Sequence, residues 1–141
     1  MKKQRLHVDF EFDFDVFGIV STYKDYKLVW NLNNSLHVNL RKENDITINF
    51  VDSELVVSHF KYNTESSELQ LLRNKSYELY GGENQFLIPE MPQIDYFILI
   101  QGKIGEFSLD ELQGKLKKTQ GVEFVMKIEI EKLKSRENFI F

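Results

Sequence analysis

The chain contains no cysteine, which removes disulfides, thiolate nucleophiles and zinc sites built on sulfur. It has no apolar run near the roughly 18 residues of a membrane-spanning helix. Lys2, Lys3 and Arg5 could open a secretory leader, but Asp9, Glu11, Asp13 and Asp15 follow at every second position, so no apolar leader core exists. A cytoplasmic protein without a membrane partner is expected. Basic charge is not in excess either. The 18 Lys and Arg face 22 Asp and Glu, for a net charge of −4 and a pI near 5.4. That balance argues against binding a phosphate backbone. From Lys103 onward there are 8 basic and 7 acidic residues, against 10 and 15 before it, an asymmetry suited to packing or self-association rather than to nucleic acid.

Glycine-built phosphate cradles are missing as well. Gly81-Gly82-Glu83-Asn84 is a turn without the G-x-x-x-x-G-K-[ST] spacing, and no G-x-S-x-G elbow occurs. No residue recommends a serine triad, and no cofactor is expected.

Core material, in contrast, is plentiful. Hydrophobic residues make up 42% of the 141 residues and aromatics 13%, with 12 Phe. A chain of this length forms one domain, here residues 1–141, and buries about 68% of its unfolded surface. Leu6, Val8, Phe10, Phe12, Phe14 and Val16 alternate with His7 and the four acids, a period of two that predicts a strand with one face to the core and one to water. Gly18 and Ser21 then loosen the chain. Thr22 and Asp25 resemble a capping box, and Tyr23, Tyr26, Leu28, Val29, Trp30 and Leu32 follow helical spacing up to a stop at Asn33-Asn34.

Leu36, Val38 and Leu40 alternate, as do Ile46, Ile48 and Phe50, which predicts a hairpin across Glu43-Asn44-Asp45. After a turn at Asp52-Ser53, Leu55 to Tyr62, Glu68 to Arg73 and Ser76 to Tyr80 read as further strands of an antiparallel meander. Asp95 to Gln101 is a dense apolar strand. Ser108 and Glu111 form an S-x-x-E capping box, with Phe107 placed to staple Leu112 and with Leu109, Leu112 and Leu116 on one face. Gly121 sits where a left-handed helix cap belongs, and Gly114 inside the helix suggests close packing on the sheet. Val122, Phe124, Met126, Ile128 and Ile130 alternate through a last strand. If the strands around this second helix are parallel, their crossover is right-handed. The whole predicts an α+β fold: a mostly antiparallel sheet with two helices packed on one face, including a C-terminal strand–helix–strand unit.

The segment Ile88-Pro89-Glu90-Met91-Pro92-Gln93-Ile94-Asp95-Tyr96 resembles the signature of the bacterial IPExxxVDY family, with Ile94 in place of the signature's Val. The likeness extends to an acidic N-terminal stretch, here Val8 to Asp15, and to a closing Leu133-Lys134-Ser135 with Ile140-Phe141. The family is defined by its motif, so the resemblance implies membership without a mechanism.

Pro89 and Pro92 fix φ near −65° and hold a rigid segment ahead of the strand. Glu90 and Asp95 then either accept backbone N–H bonds in the turn, with Tyr96 in the core, or form a carboxylate pair for acid–base work in a cleft with His59, Tyr80 and Tyr96. Same-side residues on the acidic strand lie about 6.8 Å apart, too far for one strand to wrap a cation. Asp9, Glu11, Asp13 and Asp15 therefore form a solvated face or one that meets a basic partner, with Lys132, Lys134 and Arg136 as candidates within the chain or in a second copy. His7, His37 and His59 lack metal-ligand spacing, and no metal is expected. The tail Phe139-Ile140-Phe141 either docks on its own sheet or inserts into a partner. The leading expectation is a non-enzymatic binding or protein-interaction module, with a homodimer or a protein as partner. A small-molecule or metal-binding protein, or an enzyme using Glu90 and Asp95, is the alternative.

Overall fold

The computed structural model describes residues 12–51, 53–77 and 85–141. In chain order these form β1 (Asp15–Val20), α1 (Asp25–Leu36), β2 (Arg41–Lys42), β3 (Ile46–Asn49), β4 (Glu54–Val57), β5 (His59–Asn63), β6 (Glu68–Arg73), β7 (Tyr96–Gln101), α2 (Leu109–Lys118) and β8 (Phe124–Ile128). Two 3₁₀ turns, Ile130–Lys132 and Arg136–Phe139, follow.

Six strands form one sheet in the order β2-β5-β6-β7-β1-β8, every neighbouring pair antiparallel. β7 and β8 both run antiparallel to β1, so they are parallel to each other with β1 between them, and α2 crosses over that strand. The expected α+β architecture is therefore present, C-terminal unit included.

Both faces of the sheet are covered. Phe17, Ile19, Leu71, Tyr96 and Ile98 meet α1 and α2 on one side, through Leu28, Leu32, Leu112 and Leu116. Val16, Leu72, Phe97 and Leu99 on the other side meet Leu55 and Val57 of β4, the segment Leu87–Ile94, and Phe139. This explains the unbroken apolar run of β7, since a strand buried twice has no polar face to alternate. It also corrects the reading of the first strand. Among the described residues β1 spans Asp15–Val20, and Val16, Phe17 and Ile19 are all fully buried, so the middle of the strand has no face to water. Residues 1–11, and with them Asp9, Glu11 and His7, lie outside the described residues. Gly18 belongs to the strand instead of loosening it. A Cβ there would lie 3.0 Å from Ile94 Cδ1 and 3.2 Å from Ile128 Cδ1, so its bareness makes room for the second core.

Helix α1 departs from its expected caps. Its N-cap is Lys24 and carries no side-chain cap bond, and it runs past Asn33-Asn34 to close at His37 in the left-handed region (φ 56°). Asn33 does not stop the helix because its amide is engaged elsewhere, accepting from the Leu40 N–H at 2.8 Å and donating to the Leu40 carbonyl at 3.3 Å. Leu28, Val29, Leu32 and Leu36 form the buried stripe, whereas Tyr26 and Trp30 stand 65% and 67% exposed. With Leu36 in the helix, the expected hairpin to Ile46–Phe50 does not form. β2 pairs with β5, and β3 pairs with β4 in a separate two-stranded hairpin. The Leu55–Tyr62 run divides at Ser58 between these two sheets. Of the strand expected at Ser76–Tyr80, the described part holds one bridge nearby, Lys75 to Phe86, and residues 78–84 with the Gly81-Gly82 turn lie outside the described residues.

In α2 the capping box is present as read, with Ser108 N–H donating to Glu111 Oε1 at 2.9 Å and Glu111 N–H donating to Ser108 Oγ at 3.1 Å. Gly121 is left-handed (φ +94°), but it lies beyond the C-cap Thr119 and lets the chain pass against Tyr23. Gly114 does not mark close packing, because a Cβ there would meet nothing within 4 Å. β8 is shorter than its alternation, since Ile130 turns into 3₁₀ structure. Gly114→Ala should accordingly raise stability by about 1 kcal/mol, the helix-propensity difference. Gly121→Ala should lower it by at least about 1 kcal/mol, because strain at positive φ adds to a Cβ 2.3 Å from the Tyr23 ring. Urea unfolding of both variants checks the two opposite signs.

Candidate functional site

The motif segment is shaped by a residue outside it. Asn74 follows β6 and is 0% exposed. Its Oδ1 accepts from the Ile88 N–H at 2.9 Å, and its Nδ2 donates to the carbonyls of Met91 at 2.9 Å and Ile94 at 2.8 Å. Its backbone completes the clasp, donating to the Asp95 carbonyl at 2.9 Å and accepting from the Leu87 N–H at 2.7 Å. Two tight turns, Met91 N–H to Ile88 carbonyl and Ile94 N–H to Met91 carbonyl, fold the intervening residues. Pro89 and Pro92 sit exposed in these turns, where a missing N–H costs nothing, while Ile88 and Ile94 point into the second core.

The two motif carboxylates part company. Glu90 reaches the C-terminal turn, where its Oε2 accepts from the Ser135 N–H at 2.8 Å. Burial opposes its ionised form, but the hydrogen bonds around Ser135 outweigh this and hold its pKa below the usual carboxylate value. Asp95 turns the other way and accepts from the Ser21 N–H at 2.9 Å. Next to it the Tyr96 hydroxyl donates to the Tyr23 carbonyl at 2.7 Å. Burial, then the charge of Asp25, pushes the Tyr96 phenol up to about 12. The end of the motif thus grips the loop that leads into α1.

That grip builds a cleft of about 730 Å³, lined by Ser21 to Tyr26, Arg73, Lys75, Tyr77, Asp95 and Tyr96. Glu90 and His59 are not in its wall, and Tyr80 lies outside the described residues, so the structure does not assemble the carboxylate pair with those partners. The cleft's acids are engaged, Asp95 by the Ser21 N–H and Asp25 by the Tyr26 N–H at 2.7 Å. Its cations are not. Among the described residues Lys24, Arg73 and Lys75 make no ion pair, and the Arg73 guanidinium rests 5.4 Å from the centre of the Tyr77 ring. Burial and the nearby charges of Asp45 and Asp25 raise the Tyr77 pKa, so both Tyr77 and Tyr96 keep their protons at neutral pH. The cleft offers positive charge, aromatic faces and hydroxyls. Sequence reasoning missed it because its cationic and aromatic walls come from three segments that no local pattern links.

The other expected contact residues lie elsewhere. Asp13 accepts from Gln101 Nε2 at 3.1 Å, and Asp15 pairs with Lys127 at 3.2 Å. Of the basic candidates, Lys132 pairs with Glu129 at 3.3 Å and Arg136 donates to the Leu133 carbonyl at 2.7 Å. Phe139 is not a surface residue but packs at 3% exposure against Phe97 and Phe14, ring centres 5.2 and 6.5 Å apart. Ile140 and Phe141 remain 40% and 56% exposed, and the Phe141 ring abuts His59 at 5.3 Å. Among the described residues no three His, Asp or Glu side chains converge, and no helix is long and apolar enough to cross a membrane. No family model matches the chain, and no curated protein matches its sequence.

Removing the clasp should be costly. Asn74→Ala strands the buried Ile88 N–H and Ile94 carbonyl, whereas the Met91 carbonyl keeps the Ile94 N–H, so at least about 2 kcal/mol is lost, read as a lower urea midpoint. His59 supplies the pH dependence. It is 8% exposed, hydrogen-bonded to Gln70 at 2.7 Å, and its pKa is lowered chiefly by burial. The unfolded chain therefore takes up this proton first, and stability should fall as pH drops below about 6.5. Urea midpoints at about pH 7.5 and about pH 5.5 should differ more for the wild type than for His59→Gln.

Proposed function

We propose that the protein is a non-enzymatic interaction module that holds an acidic segment of a protein partner in the cleft beside the start of α1. The observation that carries this reading is the cleft's set of cations: among the described residues Lys24, Arg73 and Lys75 line it without an ion pair and outnumber Asp25 and Asp95, each of which accepts a backbone amide. Four tyrosines share the walls, and Tyr26 leads outward along α1 to exposed Trp30 one turn on. Tyr, Trp and Arg are the side chains that dominate binding energy at protein interfaces, and an aromatic surface left in water favours being covered. A carboxylate-bearing segment supplies the missing charge, and the tyrosines supply stacking area at low entropic cost. A cytoplasmic setting and membership of the IPExxxVDY family belong to the same reading, supported by the lack of cysteine and by the motif residues Ile88 to Tyr96.

The volume of about 730 Å³ also lies within the range of small-molecule sites, roughly 300–1,000 Å³, which favours a small aromatic anion as the second reading.

Affinity capture from the native cell with wild type and with the Arg73→Ala/Lys75→Ala variant tests the proposal. A protein held by the wild type should drop by about tenfold or more with the variant, whose urea midpoint stays near wild type. Equal recovery by both proteins would overturn the reading. A thermal upshift with small aromatic anions that the variant lacks, with no protein captured, would select the second one.

A further inference from the structure

We propose that two copies of this chain pair antiparallel along β8, at a register centred on Val125, and join their sheets into one. This surface is separate from the cleft and does not depend on its occupant. The sheet has two edges. One is β2, only two residues long and carrying Arg41 and Lys42, so a second copy there would oppose like charges. The other is β8, five residues with β1 on one side and, among the described residues, no strand on the other.

The hydrogen-bond parity of β8 follows from its neighbour. The Ile19 carbonyl accepts from the Asp95 amide, on the β7 side, and the Val20 carbonyl accepts from the Glu123 amide, on the β8 side. Even-numbered residues of β1 therefore address β8, and their partners Phe124, Met126 and Ile128 turn inward. The amides and carbonyls of Val125 and Lys127 face the outer edge, where no described strand takes them.

Self-pairing about Val125 places Val125 opposite its copy, Glu123 opposite Lys127 twice, and Phe124 opposite Met126 twice. Each pair is favourable. The exposed acid and exposed base meet on the helix side of the sheet, and the Phe124 ring, 55% exposed, gains a thioether neighbour on the other side. Centring one residue later would instead oppose Glu123 with Glu129. The two-fold axis then stands perpendicular to the sheet, so both helical layers stay on one side of a continuous twelve-strand sheet. Lys127 already pairs with Asp15, but that contact is half exposed and leaves the ammonium within reach of a second carboxylate.

Light scattering on the eluting full chain should give about twice 16.8 kDa at tens of micromolar. Lys127→Glu should weaken the dimer by about tenfold, because two attractive pairs become repulsive. Glu123→Lys combined with Lys127→Glu should restore it, although this double variant also loses the Asp15 pair. Since the natural chain has no cysteine, a second readout is clean. Phe124→Cys mixed with Met126→Cys should form a disulfide-linked heterodimer, whereas neither variant alone should, because its copies sit about 7–8 Å apart diagonally. A monomer at every concentration up to about 0.1 mM would overturn the proposal. So would a dimer that the double reversal fails to rescue, or one whose single-cysteine variants cross-link alone.

Discussion

One buried amide organises the half of the molecule that holds the motif segment and the cleft. Asn74 is sealed from water, so each of its polar atoms must find a partner in the protein, and it finds them in the backbone of Ile88, Met91 and Ile94. Of those groups, the buried Ile88 N–H and Ile94 carbonyl are satisfied by this amide, while the Met91 carbonyl also accepts from the Ile94 N–H. Satisfying them fixes the path of the motif segment, and that path brings Ile88 and Ile94 into the second core while delivering Asp95 and Tyr96 to the loop before α1. The same segment also receives the C-terminal turn, through Glu90 to the Ser135 amide and Asn138 to the Leu87 carbonyl. Loop, motif and C-terminus therefore depend on one side chain.

The carboxylates acquire their roles from this arrangement. A pair five residues apart in sequence reads as a candidate acid and base, yet the clasp sends them to opposite neighbours and gives each an N–H to hold. Asp95 in particular is oriented by the Ser21 N–H, and among the described residues it forms no ion pair with the cleft's cations. The three cations outnumber the two acids among the tyrosines, so the cleft's wall is slightly positive in a chain whose overall charge is negative. Local field, not net charge, governs what such a site attracts.

The alternating patterns and caps told true where an element's fate is settled by its own residues. The Ser108–Glu111 box closes within one turn of chain, and it formed. The dense apolar run Tyr96–Ile100 is the expected strand, and the structure buries it on both faces. Elsewhere the outcome depended on partners that the local pattern does not show. Leu36 alternates with Val38 and Leu40, but helix α1 captured it because the Asn33 amide was tied to Leu40. β2 passed over its expected hairpin partner because β5 offered a place at the sheet edge. Phe139 was drawn into a core built from Phe14 and Phe97, residues 125 and 42 positions away in sequence.

The sequence by itself determined the class of fold, the helix that begins at Ser108, the central strand and the absence of sulfur chemistry, since these rest on composition and on periods shorter than a few turns of chain. Only the tertiary structure decided that the sheet has cores on both faces, that Asn74 holds the motif, and that Lys24, Arg73, Lys75 and four tyrosines share a cleft. The physical reason is that hydrogen-bond satisfaction and charge pairing are set by which groups meet after the chain has closed on itself. A lone Asn after a strand has the same local signature whether it faces water or clasps three backbone groups.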